Sequence, residues 1–99
     1  MPVLDSQYGE RRRRALLAIG STLYAARAGR GWSQERVALE AGISVITYCT
    51  LERGFSRGGE PANPTLDTLL RVLVVLNIDP ARFTEGANNP TFTRSGQGN

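Results

Sequence analysis

Ser33-Gln34-Glu35-Arg36-Val37-Ala38-Leu39-Glu40-Ala41-Gly42-Ile43-Ser44-Val45-Ile46-Thr47-Tyr48-Cys49-Thr50-Leu51-Glu52-Arg53-Gly54 contains two helix starts and two helix stops in close succession. Ser33 and Ser44 are N-cap residues, whose hydroxyls can accept a hydrogen bond from the first free backbone N–H groups. Gly42 and Gly54 are the matching stops, because a helix that ends in a left-handed residue does so at little cost when that residue is Gly. Glu35 places a negative charge in the first turn, where it complements the helix dipole. The stretch therefore predicts two short helices, Gln34 to Ala41 and Val45 to Arg53. Val45, Ile46, Thr47 and Thr50 favour strands by propensity alone, but the caps on either side outweigh that preference.

Toward the amino terminus, Leu16, Ile19, Gly20, Leu23 and Ala26 recur at helical spacing and predict a first helix that ends near Gly29 or Gly31. With Asp5 or Ser6 as its cap it would begin near Gln7 and span about 35 Å. Toward the carboxyl terminus, the Gly- and Pro-rich segment 54–64 reads as a loop. Thr65 or Asn63 then caps a fourth helix with Leu66, Leu69, Leu70, Leu73 and Leu76 on one face, and Pro80-Ala81-Arg82-Phe83 suggests one further turn. The expected architecture is all-α: a compact five-helix domain over residues 15–85. A basic arm or helix extension over residues 1–14 precedes it, and a disordered tail over residues 86–99 follows.

The chain has 99 residues, and its 12 basic side chains are all Arg; Lys and His are absent. Without His, and with Cys49 as the only Cys, zinc cages, Ser-His-Asp and Cys-His chemistry are excluded, and no metal or other cofactor is expected. No paired-carboxylate constellation or cofactor motif points to an enzyme. Cys49 reads as a small packed or surface residue, with no neighbouring His or Lys to activate it. Charge is uneven: residues 11–57 hold nine Arg against Glu35, Glu40 and Glu52, whereas both flanks are net acidic. The middle of the chain would attract an anion. An all-Arg cation set suits bidentate phosphate contacts, although genome base composition produces the same bias. Arg11 to Arg14 followed by Ala15-Leu16-Leu17-Ala18-Ile19 imitates a signal peptide, but Gly20, Ser21 and Thr22 break its apolar stretch. Val72 to Leu76 is too short to span a bilayer. A cytoplasmic location is expected.

Two short helices joined by Gly42-Ile43-Ser44 have the spacing of a helix-turn-helix. The register around them extends to Ile19-Gly20, Leu23, Ala26-Arg27, Gly31 to Glu35, Val37-Ala38, Ala41 to Ser44, Leu51 to Gly54 and Thr65 to Leu70. Over residues 15–83 this resembles the phage-repressor and Cro type of helix-turn-helix protein, also called the xenobiotic-response-element family. The resemblance implies a double-stranded DNA partner, with the second helix of the motif in the major groove. It implies a partly buried ion pair between Arg27 and Glu52, base contacts from Val45, Ile46, Thr47 and Thr50, and phosphate contacts from Gln34 and Ser44. Arg53 and Arg57 are placed to meet the backbone beyond the groove. Val37, Ala38, Ile43 and Leu51 would form the core, Tyr48 would lie part in core and part at the surface, and Trp32 would plug the entry to the second helix.

The base-reading positions depart from the family pattern, which commonly carries Gln, Arg, Asn or Ser there. Val, Ile and Thr offer chiefly methyl groups, whose natural partner is the thymine C5-methyl, supplemented by indirect readout of DNA shape. The alternative is that this face is buried against protein. Arg11, Arg12, Arg13 and Arg14 have three readings: a flexible arm into a groove, a basic helix extension along phosphates, or a solvated ridge. Phosphate contact is the preferred one. On a wheel centred on Leu73, Val72 and Val75 are expected to be exposed, and with Ile78 and Phe83 to form a homodimer contact. The expected function is a sequence-specific transcriptional regulator, either repressor or controller. The alternative is a protein-interaction module or antitoxin that grips a partner protein through the same fold.

Overall fold

A computed structural model describes residues 6–81. Four α-helices follow one another: α1 (Ser6–Arg30), α2 (Gln34–Ala41), α3 (Val45–Arg53) and α4 (Leu66–Val75). Among the described residues there is no strand, only an isolated antiparallel bridge between Phe55 and Pro61. The fifth helix is not established: Pro80 and Ala81 adopt a 3₁₀ turn, and the rest of that expected turn, Phe83 included, lies outside the described residues. So do residues 1–5 and the tail expected over residues 86–99.

The caps predicted from sequence are formed. Ser33 Oγ accepts from the Arg36 N–H at 3.0 Å, and Ser44 Oγ accepts from the Thr47 N–H at 3.0 Å. Between them Gly42 turns the chain at φ +73°, and Ile43 N–H closes back on the Ala38 carbonyl at 3.0 Å. Gly54 ends α3 at φ +89°. The following loop is tied by backbone bonds from Ser56 N–H to Glu60 O at 2.8 Å and from Ala62 N–H to Gly54 O at 2.9 Å, so its tip stands at a fixed place beside the end of α3. Thr65 caps α4 through Thr68 N–H.

Leu23 of α1, Val37, Ala38 and Ala41 of α2, Tyr48 and Leu51 of α3, and Val72, Leu73, Leu76 and Ile78 form the buried core. Ala38 and Ala41 keep α2 slim enough for close packing. Gly20 does the same for α1: a Cβ there would collide with the backbone carbonyl of Glu52. α1 therefore lies directly on the carboxyl-terminal half of α3. Tyr48, expected to be partly at the surface, is wholly buried, while Ile43 and Trp32 are half-buried against the core.

The phase of α4 differs from expectation. Val72 and Ile78, expected on an exposed dimer face, are core residues, and Val75 is half-buried. The outward stripe is instead Leu66, Leu70 and Val74, of which Leu66 and Val74 are each 72% exposed. The cause is the width of the buried face. Leu69, Val72, Leu73 and Leu76 follow the i, i+3, i+4, i+7 rule, so the core takes in the residue beside Leu73 as well as Leu73 itself.

Candidate nucleic-acid interface

The outer face of α3 presents Ile46, Cys49, Thr50 and Arg53, again at i, i+3, i+4 and i+7. Ile46 projects furthest and is 70% exposed. Val45 is half-buried and packs against the core, so only part of its side chain faces outward. Thr47 is turned toward the cap: its Oγ1 accepts from the Ser44 hydroxyl at 2.8 Å. Ser44 in turn uses its oxygen on Thr47 N–H. This face borders a groove of about 440 Å³ that is lined also by Ser56, Arg57 and Gly58 of the loop and by Glu35 of α2.

Beneath the face, one carboxylate organises three helices. Arg27 of α1 donates from Nε to Glu52 Oε2 at 2.5 Å and from Nη2 to Oε1 at 3.1 Å, and its Nη1 reaches the Trp32 carbonyl at 2.8 Å. Gln34 of α2 donates to Glu52 Oε1 at 3.0 Å, and the Tyr48 hydroxyl donates to Oε2 at 2.6 Å. The Cys49 thiol completes the chain by donating to Gln34 Oε1 at 3.2 Å. Burial works to raise the Glu52 carboxyl, but the hydrogen bonds from Arg27, Tyr48 and Gln34 together outweigh it and hold the group below the ordinary carboxylate value. The same contacts raise Arg27, led by its bond to Glu52, and Tyr48 is raised chiefly by burial and next by Glu52. All three side chains therefore keep their bonding states across the neutral range. The angle of α3 on α1 and α2 is set by this network.

A family model described as helix-turn-helix matches residues 23–83. The chain belongs to the helix-turn-helix family of phage-repressor and Cro type. No curated protein and no solved structure matches it. In this helix-turn-helix domain α2 and α3 are the motif, and Gln34 at the start of α2 has its side-chain amide engaged internally, by Glu52 and Cys49.

The arginines of the helix-turn-helix chain divide by partner. Arg30 and Arg36 flank the Trp32 ring at 5.0 and 4.2 Å, and Arg36 also pairs with Glu40. Arg71 pairs with Asp67 and caps α2 through the Ala41 carbonyl. Arg14 makes an exposed pair with Glu10, and Arg12 lies over the Tyr8 ring. Arg53 and Arg57, which frame the groove beside α3, are exposed and without a partner among the described residues, as are Arg11 and Arg13. Sequence reasoning left Cys49 open between a packed and a surface residue; it lies half-buried on the outward face, as its spacing of three from Ile46 indicates. Sequence reasoning missed the bridge from Gln34 to both Cys49 and Glu52. Among the described residues no helix is long and apolar enough to cross a membrane, and no group of His, Cys, Asp or Glu could hold a metal ion.

Proposed function

We propose that this protein is a sequence-specific double-stranded DNA-binding transcriptional regulator, a repressor or controller that lays α3 in the major groove. The observation that carries this is the pairing of the outward α3 face, with Ile46 exposed and Thr50 half-buried beside it, with two exposed and unpartnered arginines, Arg53 at the end of α3 and Arg57 in the tied loop that follows. A major groove about 12 Å wide admits such a helix. Ile46 supplies methyl contact to thymine, Thr50 a hydroxyl and a methyl, and Val45 the rest of an apolar edge. Arg53 and Arg57 take phosphates on the flank, and the backbone N–H groups at the starts of α2 and α3, at Gln34 and Ser44, take others.

Binding to duplexes from a random pool, selected over several rounds and then titrated against salt, tests the proposal. A recovered consensus together with steep weakening by salt supports it. Absence of duplex binding at micromolar protein overturns it in favour of a protein-interaction module.

The exposed α4 stripe Leu66, Leu70 and Val74 favours one addition, the pairing of two copies. Asp67 and Arg71 run alongside it with opposite charges, so two antiparallel α4 helices bring Asp67 of each copy toward Arg71 of the other. Such a dimer recognises a palindrome with half-sites about 34 Å apart. Sedimentation of the wild type against L66K/V74K tests it: the wild type sediments as a dimer and the variant as a folded monomer.

A further inference from the structure

The matched family segment begins at residue 23, so the first two-thirds of α1 lie outside it. Residues 7–15 are all exposed, yet the helix continues through them without interruption from the body of the domain. We infer that this extension is a rigid phosphate-binding rail in which helical phase selects Arg13 and Arg14, and excludes Arg12, as the DNA-facing arginines. The inference rests on the DNA-binding reading proposed above.

Phase is fixed where α1 meets α3. Ser21 and Tyr24 of α1 line one groove of about 530 Å³ with Cys49 and Arg53 of α3, so this face of α1 continues the surface that carries the outward side of α3. In an α-helix, positions seven and eleven residues apart return to nearly the same direction. Arg14 stands seven residues before Ser21, and Arg13 stands eleven before Tyr24, which puts both on the groove side. Arg12 is rotated by about 100° from Arg13, in the direction away from Arg14 and the groove, and it lies over the Tyr8 ring at 5.4 Å. The helix passes beside the end of α3, since a Cβ on Gly54 would touch Leu17 at 3.4 Å. Arg13 and Arg14 therefore emerge one turn beyond Leu17, on the flank of α3 that already carries Arg53.

Neither side chain is committed elsewhere. Arg13 has no partner among the described residues, and Arg14 holds Glu10 at 3.4 Å with both side chains more than half exposed. Exchanging that solvated carboxylate for a phosphate costs little. A flexible arm or a general excess of positive charge would use all four arginines alike. A rigid rail uses them by angle.

The test compares R12A, R13A and R14A in the full chain, each losing one charge at an exposed helical site where Ala is well tolerated. Duplex affinity for the selected sequence is measured across a series of salt concentrations. We expect R13A and R14A each to lower the steepness of log affinity against log salt by about 0.9, the contribution of one phosphate, and R12A to leave it unchanged. Equal loss in all three variants overturns the rail in favour of an arm, and no loss in R13A and R14A overturns the phosphate contact itself. In both of those outcomes the wild type still binds duplex. Failure of wild-type binding instead overturns the proposed function, and the rail with it.

Discussion

Arg27 of α1 meets Glu52 of α3 with two parallel hydrogen bonds, and both side chains are largely out of solvent, at 15% and 7% exposure. Removing one partner strands the other charge in a place where water replaces it poorly. Arg27→Ala is expected to lower stability by about 3 kcal/mol, the lower end of what breaking a buried pair costs. For a domain of this size that corresponds to a Tm drop of more than about 10 °C. Reversible urea unfolding of R27A beside R14A checks it. R14A, which loses only an exposed pair, should change stability by less than about 0.5 kcal/mol. Equal effects in the two variants would remove the special status of the Arg27–Glu52 contact.

Glu52 also fixes the acid limb of stability. Its carboxyl is held below the ordinary value near 4.5, because the hydrogen bonds from Arg27, Tyr48 and Gln34 exceed the opposing effect of burial. A depressed folded value means that the contribution is fully present above the unfolded value and is lost as pH falls through the folded one. The wild type should therefore lose stability below about pH 4.5, and Glu52→Gln, with no charge to protect, should show a shallower acid limb from a lower plateau. Tyr48 has the opposite sign. Its hydroxyl is raised by burial and then by Glu52, so its contribution is present below its ordinary value near 10 and is lost at higher pH. Tyr48→Phe should flatten the alkaline limb.

Gly20 separates helix propensity from packing. Ala is favoured over Gly in a helix by about 1 kcal/mol, which taken alone predicts stabilisation. Here the new methyl would strike the Glu52 backbone carbonyl, which cannot swing aside as a side-chain end would. Gly20→Ala is expected to destabilise by up to about 2 kcal/mol net, since an overpacking cost of about 1–3 kcal/mol exceeds the gain in propensity. Gly9→Ala, in open space on the same helix, should be neutral or stabilising. Thermal unfolding of the two variants decides it.

The parts of this fold that could be read from the sequence are those whose causes are local. Ser33, Ser44, Gly42 and Gly54 act on neighbours within four residues, so α2, its turn and α3 follow from the chain itself. α4 was legible as a helix but not in phase. In Leu69-Leu70-Arg71-Val72-Leu73-Val74-Val75-Leu76 nearly every position is apolar, and which of them are buried depends on where α2 and α1 lie. The Gln34 bridge was hidden for a related reason. It links residues 15 and 18 positions apart, and only the crossing of α2 over α3 brings them within hydrogen-bond reach. The pairing of Arg27 with Glu52, further apart still, came from family register and not from any local signal.

On the proposed function, Ile46 separates DNA recognition from stability. At 70% exposure its side chain contributes little to the core, so Ile46→Ala should shift Tm by no more than about 4 °C. Removing its outer methyls from contact with a base should lower affinity for the selected duplex about tenfold, at roughly 0.8 kcal/mol for each methyl lost. Repeating the selection with I46A should relax the consensus at one base pair and leave the others intact. An unchanged consensus would assign that position to another side chain.

α1 runs unbroken from the exposed arginines to the Arg27 anchor. On the proposed function, one rod thus carries both ends of the recognition apparatus, and the 14 residue steps from Arg13 to Arg27 span about 21 Å with no hinge between them. In the proposed complex the rod works as a gauge: the offset between the gripped phosphates and the bases under α3 is a fixed length. One residue inserted between Ala15 and Gly20 would turn both arginines through about 100° and misalign them, whereas three or four would restore their direction and move the grip outward by about one helical turn. Homologous regulators that read longer or shorter flanks would then differ in this helix by whole turns.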